Sequence, residues 1–147
     1  MSHKSPKIAA LISSLPDGPL DRHYLGFFEC FNQQLFFEAH EVLEELWLIE
    51  RGRPKDLFYK GLIQLAGAFV HVQKARRGPA LALLGLARGN LERFPGFYEE
   101  LAIGEVLKLI GVWTLSLQAE AGPLRSPAQG HWPFIRLQGV STAVIKP

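Results

Sequence analysis

The sequence predicts an all-α fold, a compact multihelical bundle of about five helices with an irregular C-terminal tail. Apolar residues recur at three- and four-residue spacings through most of the chain, and no comparable strand alternation precedes residue 130. Short connections rich in Pro and Gly separate these periodic segments and favour antiparallel helical neighbours. With 147 residues, 48% of them hydrophobic, the chain is long enough to bury the core of one domain.

The ends of the predicted helices follow from capping and helix-breaking residues. Asp21 is placed to cap the first helix. Gly52 and Pro54 stop the second, and Gly78 follows the third. The five predicted helices span about residues 21–33, 36–50, 55–76, 79–94 and 98–119.

The two ends of the chain differ in character from this predicted core of about 21–120. Pro16, Gly18 and Pro19 close off an N-terminal arm. The tail, about 121–147, has too many Pro and Gly residues for a long helix, yet residues 132–140 are too apolar for a free tail. We therefore predict a single helical domain over 1–147 whose tail docks on its own bundle or on a partner.

Composition narrows the classes of partner. The chain has 16 Lys and Arg against 14 Asp and Glu, and this net charge of +2 predicts neither a nucleic-acid nor a membrane partner. Residues 62–72 are too short an apolar run to span a bilayer. Cys30 lies among phenylalanines and has no second cysteine to pair with, so we expect a buried free thiol and a cytoplasmic protein.

The second helix carries the most suggestive polar residues. Its wheel has an apolar arc, an acidic arc that includes Glu41, and His40 and Glu44 at the border. His40 and Glu44 are four residues apart, so their side chains are neighbours on the helix surface. The third helix offers a polar strip that could face them. The candidate polar cluster therefore comprises His40, Glu41, Glu44, Trp47, Lys60, Gln64 and His71.

Three interpretations of this polar cluster stay open. His40 and Glu44 could chelate a divalent metal, although Glu44 stands where His-Glu-x-x-His zinc sites have a second histidine. The cluster could instead be a buried hydrogen-bonded network that sets helix register. It could also form a small-molecule pocket in which a glutamate accepts a proton and Gln64 orients a substrate.

These interpretations lead to two classes of function. One is a small-molecule-binding or metal-binding domain, with enzymatic activity an open question because no nucleophile, phosphate loop or dinucleotide fingerprint is present. The other is a non-catalytic structural or interaction module, a homo-oligomer in which the tail around Trp132, Pro133 and Phe134 helps to form the contact.

Two segments resemble a known family. They are Phe31–Trp47, FNQQLFFEAHEVLEELW, and Phe58–Ala68, FYKGLIQLAGA. Both are similar to the signature of domain of unknown function 309, a family of small helical proteins from prokaryotes. The resemblance covers about residues 21–95 and implies an all-helical fold, without an established activity, ligand or cofactor. It marks His40, Glu41, Glu44, Trp47 and Gln64 as signature positions, whereas Gln34 stands where the family often has glycine.

Overall fold

The computed structural model describes residues 6–15, 20–120, 122–124 and 131–138, and within them the chain is all-α, as predicted. The described part contains six helices and one two-stranded hairpin. The helices are α1 Pro6–Ser14, α2 Arg22–Asn32, α3 Phe36–Glu50, α4 Asp56–Gln73, α5 Arg77–Leu91 and α6 Ile103–Ala119. The strands are β1 Phe97–Tyr98 and β2 Leu101–Ala102, which pair antiparallel.

The structure confirms most of the predicted helices and corrects two parts of the chain. The predicted helix 36–50 matches α3, and the side chain of Asp21 caps α2 by accepting a hydrogen bond from the His23 amide at 2.7 Å. The N-terminal arm contains a helix, α1, which raises the predicted five to six among the described residues. Residues 98–102, predicted as the start of the last helix, belong to the hairpin instead. Pro16, Gly18 and Pro19 lie outside the described residues.

Each helix packs mainly on its neighbours in the sequence. Helix α4 lies between α3 and α5, while α2 packs on α3 and α6 packs on α5. The centre of the bundle is an aromatic cluster in which Phe31 contacts Phe36 and Phe69, with ring centroids 5.0 and 5.8 Å apart. Cys30 is a buried free thiol, as predicted. No helix in the described ranges is long and apolar enough to cross a bilayer.

Two helices end on a residue in the left-handed conformation that is not glycine. Gln34 follows α2 with φ 62°, and Ala75 follows α4 with φ 57°. After each, the next amide reaches back five residues, from Leu35 to the Cys30 carbonyl and from Arg76 to the His71 carbonyl. This is the Schellman pattern of helix termination, which glycine adopts at the lowest steric cost. It explains why α4 ends at Gln73, before the predicted terminator Gly78.

The turn of the hairpin has the same unusual backbone. Glu99 and Glu100 join β1 to β2 with φ values of 50° and 60°, a conformation that asparagine and glycine normally supply. Contacts from distant parts of the chain hold this turn in place. The buried Tyr24 hydroxyl donates to the Glu99 carbonyl at 2.8 Å, and the Lys55 ammonium lies 3.2 Å from the Glu99 carboxylate.

We expect Ala75→Gly to raise the free energy of unfolding by about 0.5–1 kcal/mol, because relief of the positive-φ strain outweighs the greater entropy of glycine in the unfolded chain. Urea unfolding would measure the change. The control is Ala82→Gly at an exposed position inside α5, where glycine should lower the free energy of unfolding by about 1 kcal/mol. Equal losses in the two variants would contradict the left-handed cap.

Candidate functional site

His40 and Glu44 lie one turn apart on α3 and face each other. The Nε2 atom of His40 is 3.9 Å from Oε2 of Glu44, and the two side chains are 31% and 28% exposed. The exposed ring of Phe37 lies beside the imidazole, with the ring centroids 5.8 Å apart. Partial burial of the pair was expected from its border position on the helix wheel. At this separation and exposure the two groups make a loose, solvated contact.

Trp47 and Lys60 flank a carboxylate that sequence reasoning missed, that of Asp56. The indole Nε1 of Trp47 donates to Oδ1 of Asp56, and the Gly52 amide donates to Oδ2 at 3.0 Å. These hydrogen bonds, led by that of Gly52, lower the pKa of Asp56, and the positive charges of Lys60 and Arg51 add to the effect. Trp47 therefore fastens the turn between α3 and α4. Asp56 could have been identified from the sequence because it is the acidic residue in the first turn of α4.

Gln64 joins α4 to α5. Its Oε1 atom accepts a hydrogen bond from Nδ2 of Asn90 at 2.7 Å. Nearby, Gly61 lies so close to α5 that a Cβ added there would be 2.9 Å from Cγ of Leu91. Gln64 thus lies at a tight interface between two helices.

His71 lies in the last turn of α4 with one ring nitrogen buried. Its Nδ1 atom has no hydrogen-bond partner among the described residues. Burial lowers the pKa of this imidazole, and the positive charges of Arg76 and Lys74 lower it further. The neutral form of His71 is therefore favoured in the folded protein.

The contacts of the seven candidate residues fall into separate groups. Within the described ranges, no hydrogen bond or ion pair links His40 or Glu44 to Gln64 or His71. Glu41 is half-buried on α3. In the same ranges, no group of three or more His, Cys, Asp or Glu side chains is arranged to hold a metal ion. The metal site of His40 and Glu44, and the polar cluster as one site, stay predictions.

A concave site lies elsewhere, between α6 and the segment 134–138. This groove has a volume of about 420 Å³. Its walls are mostly aliphatic and aromatic, with four polar or charged side chains. The lining residues are Leu101, Ala102, Glu105, Val106, Lys108, Leu109, Val112, Trp113, Phe134, Ile135, Arg136 and Gln138.

The outer wall of the groove is held to the bundle by backbone and ring contacts. Both backbone groups of Ile135 bond to the Asn32 side chain, which accepts from its amide and donates to its carbonyl at 2.8 Å each. The Gln138 amide donates to the Glu100 carbonyl at 2.7 Å. Trp132 stacks on Trp113 of α6, with ring centroids 6.4 Å apart. Residues 125–130 and 139–147 of the predicted tail lie outside the described residues.

The two walls of the groove, the last helix and the apolar stretch 132–140, were predicted as separate features. The groove between them was not predicted. The space between them depends on contacts such as that of Asn32 with Ile135, which are 103 positions apart. A local sequence pattern carries no signal for such a pairing.

The fold and the groove define a small all-α bundle with an apolar surface site. Residues 24–91 match the model of a family described as Domain of unknown function (DUF309). The match confirms the resemblance found in the sequence. It runs from α2 to the end of α5, so α6 and the segment 131–138 lie outside it. Searches of curated proteins and of solved structures gave no match.

Removal of the indole donor should destabilise the turn between α3 and α4. We expect Trp47→Phe to lower the free energy of unfolding by about 1.5–3 kcal/mol, the range for a hydrogen bond to a charged group. A double-mutant cycle with Asp56→Ala, followed by urea unfolding at neutral pH, isolates the bond from the lost packing. The coupling should fade only as pH falls through the lowered pKa of Asp56, below its ordinary 3.8. Additive losses at neutral pH would contradict the bond.

His71 should make the folded state sensitive to mild acid. Its pKa is lowered in the folded protein from an ordinary 6.5, so the unfolded chain binds the proton more tightly. The free energy of unfolding should therefore fall as pH drops below about 6.5, more steeply in the wild type than in His71→Gln. Urea unfolding from pH 7.5 to 5 measures both slopes, and the other histidines cancel in the comparison. Parallel profiles would contradict the prediction.

Proposed function

We propose that the protein binds a small, largely apolar organic molecule in the groove between α6 and the segment 134–138. The observation that carries this proposal is the groove itself, whose volume of about 420 Å³ falls within the usual range for small-molecule sites. Its apolar walls supply the driving force, since burial of about 200 Å² of apolar ligand surface is worth about 5 kcal/mol before the costs of association.

We propose a structural role for the polar cluster of α3 and α4. The hydrogen bond from Trp47 to Asp56 and that from Asn90 to Gln64 support this role, because each ties two helices or a turn together. In this proposal His40 and Glu44 do not take part in ligand binding at the groove. A divalent metal on that pair stays a separate prediction, which elemental analysis of protein purified without a histidine tag would test.

A second candidate function is self-association through the same face of α6. Val112 is 60% exposed and Leu115 is 69% exposed. Exposed aliphatic side chains beside an apolar groove are typical of protein contact surfaces. Because Val112 lines the groove and Leu115 does not, variants of these two residues separate the two functions.

We expect the wild type to bind the neutral fluorescent probe N-phenyl-1-naphthylamine, and Val112→Gln to weaken that binding about five-fold or more, because it places a polar side chain in the apolar wall. Leu115→Gln is the matched control and should leave probe binding unchanged. Fluorescence titration measures the affinity, and thermal melts of each variant check its folding. A folded wild type that does not bind the probe would overturn the proposal.

Sedimentation of the same three proteins tests the alternative. A wild-type dimer that dissociates in both Val112→Gln and Leu115→Gln would favour self-association through α6. Monomeric wild-type protein that binds the probe would favour the small-molecule site.

A further inference from the structure

We infer that the ligand of the groove is an organic monoanion, an apolar skeleton that carries one carboxylate or sulfonate, with Arg136 as the residue that recognises the charge. This inference rests on the proposed function, because it requires a small molecule in the groove.

Residues 133–138 alternate strictly between the core and the surface. Pro133, Ile135 and Leu137 are buried, whereas Phe134, Arg136 and Gln138 are exposed. In an extended segment, alternate side chains project to the same side. The three exposed side chains therefore form one row that runs from an aromatic ring through a cation to an amide, and all three line the groove. Such a row suits a ligand that is apolar at one end and polar at the other.

Arg136 is held in position in this row. Its guanidinium carbon lies 5.4 Å from the centre of the Phe134 ring, in cation–π contact. The residue between them, Ile135, is fixed to Asn32 through both its amide and its carbonyl. The backbone on either side of Arg136 is further held by the bond from the Gln138 amide to Glu100. The cation is thus prepositioned at the groove before any ligand binds.

The charges around the groove leave Arg136 available for an anion. Lys108 and Glu105 also line the groove, and they pair with each other at 3.7 Å. Within the described part of the chain, Arg136 makes no ion pair with a carboxylate. The three groups sum to one net positive charge, which matches a monoanion.

The guanidinium group favours an oxyanion that presents two oxygens side by side. Its parallel N–H donors bind two oxygens of a carboxylate or sulfonate at once, and such charge-assisted bonds are stronger than neutral ones. The amide of Gln138 offers a further donor at the same end of the groove.

Two probes that share one skeleton test the inference. The neutral probe is N-phenyl-1-naphthylamine, and the anionic one is 8-anilinonaphthalene-1-sulfonate, which adds a sulfonate to the same rings. We expect the wild type to bind the anion about ten-fold more tightly than the neutral probe. We expect Arg136→Gln to remove most of that preference, with the affinity for the neutral probe changed less than two-fold, since a hydrogen bond to a charged group is worth about this factor.

The matched control is Arg93→Gln, which removes the same charge from an exposed position at the end of α5 that does not line the groove. It should leave both affinities unchanged. Val112→Gln should weaken both probes, which locates them at the groove. Thermal melts verify that each variant is folded.

The possible results separate this inference from the proposed function. Equal affinities of the wild type for the two probes, or equal loss of both in Arg136→Gln, would overturn the anion inference while leaving the apolar site intact. An anion preference lost equally in Arg93→Gln would assign it to the overall charge of the protein and would also overturn the inference. Failure of both probes to bind folded wild-type protein would overturn the inference and the proposed function together.

Discussion

The close approach of α4 to α5 at Gly61 is the constraint on which the helical arrangement depends. A Cβ at this position would lie 2.9 Å from Cγ of the fully buried Leu91, and a packed interior yields little to an added methyl group. The same approach places Gln64 within hydrogen-bonding distance of Asn90. With α5 held on one side and α3 packed on the other, α4 becomes the central helix. Gly61 and Gln64 therefore both act in the packing of α4 on α5.

The fold class was predictable because helical periodicity and capping are local properties of the sequence. Asp21 caps α2 and the bounds of α3 match the prediction for this reason. The end of α2 was predicted to within about one residue, but the end of α4 was not, because Ala75 adopts a conformation that the sequence normally signals with glycine. The hairpin at Glu99 and Glu100 was missed for a similar reason, since contacts from other parts of the chain, such as Tyr24, impose its turn.

The same difference between local and long-range contacts explains which parts of the candidate site were predictable. The contact of His40 with Glu44 was predictable, since residues four apart on a helix are always neighbours. Contacts between helices depend on how each helix is rotated about its axis, which a single wheel does not give. Trp47 consequently bonds to Asp56, and Gln64 bonds to Asn90 of α5. The groove required pairings over more than half of the chain, and local patterns carry no information about these.

The bond between Asn32 and Ile135 also bears on the order of folding. It closes a loop of 103 positions, and such closure has a large entropic cost that only prior assembly of α2 to α6 can reduce. The helical bundle, built from contacts between successive helices, can form without this bond. We therefore expect the outer wall of the groove to assemble after the helical bundle and to detach before the bundle unfolds. A ligand held between this wall and α6 would slow that detachment and protect the Ile135 amide from hydrogen exchange.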